Sequence, residues 1–87
     1  MALTREKART LAAAQPDVGN RVAEAIRLAG ISQTALATAI GLPYTYVSDT
    51  ARGRYKTITV ENGRKFAEFF GVPIEVLFPA HDTKSAA

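Results

Sequence analysis

Glycine or proline interrupts this 87-residue chain at Pro16, Gly30, Gly41, Pro43, Gly53, Gly71, Pro73 and Pro79, leaving segments about one short helix long between the breaks. Few runs of alternating apolar and polar residues fall in those segments, so strands are not expected and the fold class is all-α. Apolar residues make up 47% of the chain, which suits one compact domain with a modest core. The expectation is four to five short helices packed together, with an extra N-terminal helical segment.

Thr4 is placed to cap a first helix to about Ala14, with Ala8, Leu11 and Ala12 on one side and Pro16 as the stop. Asp17 is placed to cap a second, where Val18, Val22, Ile26 and Ala29 recur at three- and four-residue spacing before Gly30. Ser32 caps a short helix from Gln33 to Ile40 with Leu36, Ala37 and Ile40 inward, ended by Gly41. Pro43 opens another through Ala51 or Arg52, closed by Gly53. Arg54 to Ile58 reads as an extended connection. Thr59 then caps a helix from Val60 to Phe70 with Val60, Phe66, Ala67 and Phe70 as its buried stripe, and Pro73 starts a last one from Ile74 to Phe78.

Several function classes lack their parts. Cysteine is absent, and the single histidine, His81, stands in a polar tail after Pro79. No thiolate, paired histidine or carboxylate cluster is available for a metal site or a catalytic dyad, so no catalytic residue, metal or cofactor is expected. No stretch approaches the roughly 18 to 20 apolar residues that cross a bilayer, and the segment from Met1 to Arg9 has no signal-type apolar run; a soluble, cytoplasmic protein without membrane contact is expected. The formal net charge is +3. Its distribution is more informative, because Arg52, Arg54, Lys56, Arg64 and Lys65 share one short stretch opposed only by Glu61. A second basic group, Arg5, Lys7 and Arg9, reads equally as a nucleic-acid arm, a packed helix or a frayed end.

The stretch from Ser32 to Gly53 carries the chemistry: two short helices joined by a tight turn at Gly41. A steep crossing over so short a turn needs a small residue at the approach, supplied by Ala37, a residue tolerant of the left-handed conformation, supplied by Gly41, and apolar contacts, supplied by Leu36 and Val47. With the lead-in Ile26-Arg-Leu-Ala-Gly-Ile, the turn Ile40-Gly41-Leu42, Val47-Ser48, the exit Arg52-Gly53 and the closing Phe66-Ala67, Phe70-Gly71-Val72-Pro73 and Leu77-Phe78, the chain from Arg21 to Phe78 resembles the lambda-repressor-like or Cro-type (XRE-type) helix-turn-helix DNA-binding family. It departs from that pattern where Pro43 replaces a capping Ser or Thr, where Ile26 and Ala51 stand for a common Arg and Glu pair, at Thr50 where an apolar residue is usual, and at Gly63 where Leu is common.

The resemblance implies residues 1–16 as an N-terminal helix or arm, 17–79 as the helix-turn-helix domain and 80–87 as a flexible tail. The helix after Pro43 becomes the recognition helix, with Tyr44, Thr45, Ser48 and Asp49 as base-contact candidates. Gln33, Tyr46, Arg52, Arg54, Lys56, Arg64 and Lys65 become backbone candidates, against the plain readings of helix start, half-core aromatic and solvated basic loop. Asp49 reads either as a cytosine acceptor or as the ion-pair partner of Arg52 or Arg54. Ile74, Leu77 and Phe78 are candidates for a dimer interface or for the domain core. The implied function is a bacterial or phage-encoded transcriptional regulator, expected as a repressor, binding an inverted-repeat operator on double-stranded DNA as a homodimer. The rival is an antitoxin-type interaction module that neutralises a partner protein and also binds DNA; the short segment after Pro79 offers it little interaction arm.

Overall fold

Side-chain caps and left-handed glycines set where each helix begins and ends. The computed structural model describes residues 2–16, 18–55 and 58–79. Among these residues it has six helices and no strand: α1 (Arg5–Ala13), α2 (Val22–Ala29), α3 (Gln33–Ile40), α4 (Tyr44–Ala51), α5 (Val60–Phe70) and α6 (Ile74–Leu77). The hydroxyls of Thr4, Ser32 and Thr59 accept from the backbone N–H of Lys7, Ala35 and Asn62 at 3.2, 3.0 and 3.1 Å. Each thereby satisfies one of the first-turn donors that a helix leaves without an internal acceptor. No described helix is long and apolar enough to cross a membrane.

The second helix starts later than its apolar spacing suggests. Asp17 lies outside the described residues, and Val18 and Gly19 form a bend rather than a first turn. Val18 instead lays its side chain over Gly53, at the exit of α4, where a Cβ would collide with it. Arg21 is the N-cap of α2 and makes no side-chain cap bond; Asn20, just before it, supplies the side-chain acceptor, its Oδ1 accepting from the Val22 N–H at 3.0 Å while its Nδ2 donates to the Thr50 carbonyl at 2.9 Å.

The core is a single cluster to which every helix contributes, with Leu11, Val22, Leu36, Val47, Phe66, Phe70 and Leu77 fully buried. Phe78 joins it edge-on to Phe66, ring centroids 5.8 Å apart. Burying one such side chain stabilises the fold by about 1.5–3 kcal/mol. Ile26 and Ala51 are both buried, on helices that pack against one another, so the departure from a charged pair leaves no orphaned ion.

Burial decides several of the expected positions. Ala12 is exposed, because its place one residue after the buried Leu11 carries it about 100° around α1. Val60 is 42% exposed at the head of α5, and the inward apolar position there is taken by Ile58, just before the helix. Ile40 is half-buried rather than sealed. Leu77 and Phe78, candidates for an interface or for the core, are buried in the core of the domain. Ile74 is half-buried over Gly63, where an added Cβ would stand 2.6 Å from the Ile74 Cδ1. The glycine therefore gives α6 its close seat on α5, which offsets its cost to helix propensity.

Arg21 fastens the N-terminal helix to this cluster. Its Nε donates to the Ala14 carbonyl at 3.0 Å and its Nη1 to the Val76 carbonyl at 2.8 Å, while its own N–H donates to the Leu77 carbonyl at 2.8 Å. One guanidinium thus ties the end of α1 to α6. Arg21→Met keeps the aliphatic stem and removes both side-chain bonds, leaving two carbonyls without a partner. Urea unfolding of that variant is expected to show a loss of about 2–4 kcal/mol; a midpoint equal to wild type would show that the two bonds contribute nothing net.

Candidate nucleic-acid interface

Gly41 takes φ 73°, a left-handed conformation that a residue with a Cβ adopts at a cost. This reverses the chain between α3 and α4 within three residues and lets the two helices pack on one another. Pro43 is the N-cap of α4 and offers no side-chain acceptor, so the first-turn N–H groups of α4 stay open at the positive end of the helix dipole. Gln33 is half-buried at the first position of α3.

Around α4 the burial pattern defines one outward strip. Val47, Ser48, Thr50 and Ala51 are buried, and at about 100° per residue Thr45, Asp49 and Arg52 fall together on the opposite side. Tyr44, half exposed on the first turn, projects beside them. Ser48, expected to face outward, is only 6% exposed: it lies one residue from Val47 and three from Ala51, within the helix's inward arc, and is withdrawn from the groove-facing set. Thr50 is also buried, and its polarity is met within the subunit, since Oγ1 donates to the Tyr46 carbonyl at 2.7 Å and its own carbonyl accepts from Asn20.

The segment after α4 is held by polar and aromatic ties. Arg54 Nε sits 3.5 Å from Asp49 Oδ1, and the Arg54 N–H donates to the Asp49 carbonyl at 3.0 Å. Of the two arginines considered as partners for Asp49, Arg54 forms the pair; with side chains 64% and 35% exposed it is solvent-screened and contributes at most about 1 kcal/mol. Its consequence is electrostatic, since it neutralises the one carboxylate on the outward strip. Tyr46 lies at the side of the strip, half-buried, with its ring 5.1 Å from that of Tyr55 and its hydroxyl accepting from Asn62 Nδ2 at 3.1 Å. It joins α4, the connection and the head of α5.

The structure therefore brings Tyr44, Thr45, Asp49, Arg52 and Arg54 onto or beside one strip. Lys56 lies outside the described residues. Of the backbone candidates on α5, Arg64 is exposed, and Lys65, about 100° further round the helix, is half-buried beside Ala39 and Ile40 at the end of α3. Sequence reading missed Asn20, Tyr55 and Asn62. Asn20 was open to the same capping logic that selected Asp17; nothing local marks Tyr55 or Asn62, because both act through contacts with Tyr46.

A helix-turn-helix family model, that of the XRE and lambda-repressor-like DNA-binding domains, matches residues 22–77. The match runs from the first residue of α2 to the last of α6. No curated protein and no solved structure gives a significant match to the chain.

Because Asn20 sets both the start of α2 and the last turn of α4, Asn20→Ala is expected to cost about 2–3 kcal/mol in chemical denaturation, leaving a buried N–H and a buried carbonyl unpaired. Amide exchange should quicken in the last turn of α4 and the Arg52–Arg54 segment first. Uniform exchange across the domain would contradict the local role.

Proposed function

The chain belongs to the XRE and lambda-repressor-like helix-turn-helix family, and from that membership we propose that it is a transcriptional repressor that binds an inverted-repeat operator as a homodimer, laying α4 in the major groove. The carrying observation is the strip itself: Thr45, Asp49 and Arg52 recur at four- and three-residue spacing on the one side of α4 that the core leaves free. A helix lying in a groove needs such a polar side to reach base edges.

Tyr44 and Thr45, on the first turn, contact base edges. Asp49 accepts from a cytosine amino group when Arg54 turns to a phosphate, and is masked by Arg54 otherwise. A bare carboxylate among phosphates would be repelled, so the pair lets an acidic residue stand on this surface. Gln33 and the open N–H groups at the start of α4 approach phosphates, where free donors and the helix dipole favour an anion. Arg52, Arg54 and Lys56 add backbone clamps, with Arg64 a further candidate from α5 and Tyr46 acting by holding the connection in place. In the paired form the two copies of α4 enter successive major-groove faces about 34 Å apart.

Selection of preferred duplexes from a random pool tests the whole reading, and an enriched inverted repeat is the expected result. Failure to enrich any sequence, together with binding that ignores salt, would overturn it. Two variants resolve the roles. Arg52→Ala should weaken binding to all duplexes alike and reduce the slope of log K against log salt by about one unit; an unchanged slope removes Arg52 from the backbone contacts. Thr45→Ala should relax preference at one or two base pairs by about 1–3 kcal/mol, and an unaltered sequence preference would take Thr45 out of the readout.

A further inference from the structure

With Leu77 and Phe78 sealed in the core, a second copy must be met on another face. On the side of α5 that meets the end of α3, an open depression of about 300 Å³ is lined by Ala39, Ile40, Lys65, Glu68 and Phe69. Its residues come from α3 and α5 and none from α4. Ile40 and Phe69 are apolar side chains only partly covered by the core. Lys65 and Glu68 form no ion pair or side-chain hydrogen bond with any described residue. One cation and one anion cancel, so the depression has no net attraction for phosphate.

Resting on the reading that the protein acts as a pair, we propose that this α3–α5 depression is where two copies of the chain meet, through an antiparallel contact of α5 with its own symmetry mate. The charges select that arrangement. Lys65 and Glu68 stand one helical turn apart on the same side of α5. A two-fold axis passing between them sets Lys65 of each copy opposite Glu68 of the other, and no charge is left unpaired. A parallel contact would oppose like charges. Closed two-fold contacts use the same patch on both copies, which requires such self-complementarity. Ile40 and Phe69 then supply the apolar centre and the two ion pairs the rim. The patch is small beside a standard interface of about 800 Å² per partner, so the association is weak in free solution and strengthens when both copies are held on one duplex.

Sedimentation equilibrium of the full chain without DNA, up to about 1 mM, tests this. Wild type is expected to pass from monomer to dimer as concentration rises. Lys65→Glu and Glu68→Lys each oppose like charges at two symmetric places and should raise the dimer Kd roughly tenfold or more. The double variant should regain wild-type association. An equimolar mixture of the two single variants should form a heterodimer, because one copy then carries both anions and the other both cations. Both positions are at least partly exposed in the monomer, and circular dichroism should show the wild-type helix content throughout. Wild type that stays monomeric over the whole range, or single variants that dimerise as wild type does, would overturn the proposal. Salt-dependent attachment of the monomer to a duplex is read separately by fluorescence anisotropy, so loss of this interface and loss of the DNA-binding reading give different results.

Discussion

An eight-residue helix is unstable alone in water, because nucleation fixes several residues for one hydrogen bond and isolated helices below about 12–15 residues are marginal. Helices α2, α3 and α4 are each of that length. They persist because each places apolar side chains in one shared cluster, Val22 and Ile26 from α2, Leu36 and Ala37 from α3, Val47 and Ala51 from α4, around the phenylalanines of α5. Helix and core are therefore formed together, and the outward side of α4 is defined by subtraction, as whatever that cluster leaves uncovered.

Polar side chains do a second job that apolar burial cannot. Burial is non-directional and would tolerate several placements of the connecting segments. Asn20 ties the start of α2 to the end of α4, Arg21 ties α1 to α6, and Tyr46 with Asn62 ties α4 to α5. Each joins a group that would be costly to bury alone to a carbonyl or hydroxyl far along the chain. The position of α4, and with it any contact to a groove, depends on these directional bonds as much as on the core.

The surface chemistry separates along the same lines. On α4 the free N–H groups of the first turn and the arginines after the last one surround a carboxylate that Arg54 already neutralises. That is a surface suited to a polyanion. Between the end of α3 and α5, Lys65 and Glu68 balance one another beside Ile40 and Phe69, the surface proposed above for a second copy.

The ends of the helices were legible in the residues themselves, because caps and left-handed turns are local: Thr4, Ser32, Thr59, Gly30, Gly41 and Gly71 act within a few residues of their own position. So were the all-helical class and the close pairing of α3 with α4 across Gly41. What lay beyond local reading was anything decided by a neighbour distant along the chain. Ser48 is buried, Val60 is exposed, Asn20 supplies the side-chain acceptor at the start of α2, and Leu77 and Phe78 are buried in the core. Periodicity states that a helix has two sides, but the partners packed against it choose which is covered, and those partners are brought up only when the whole chain folds.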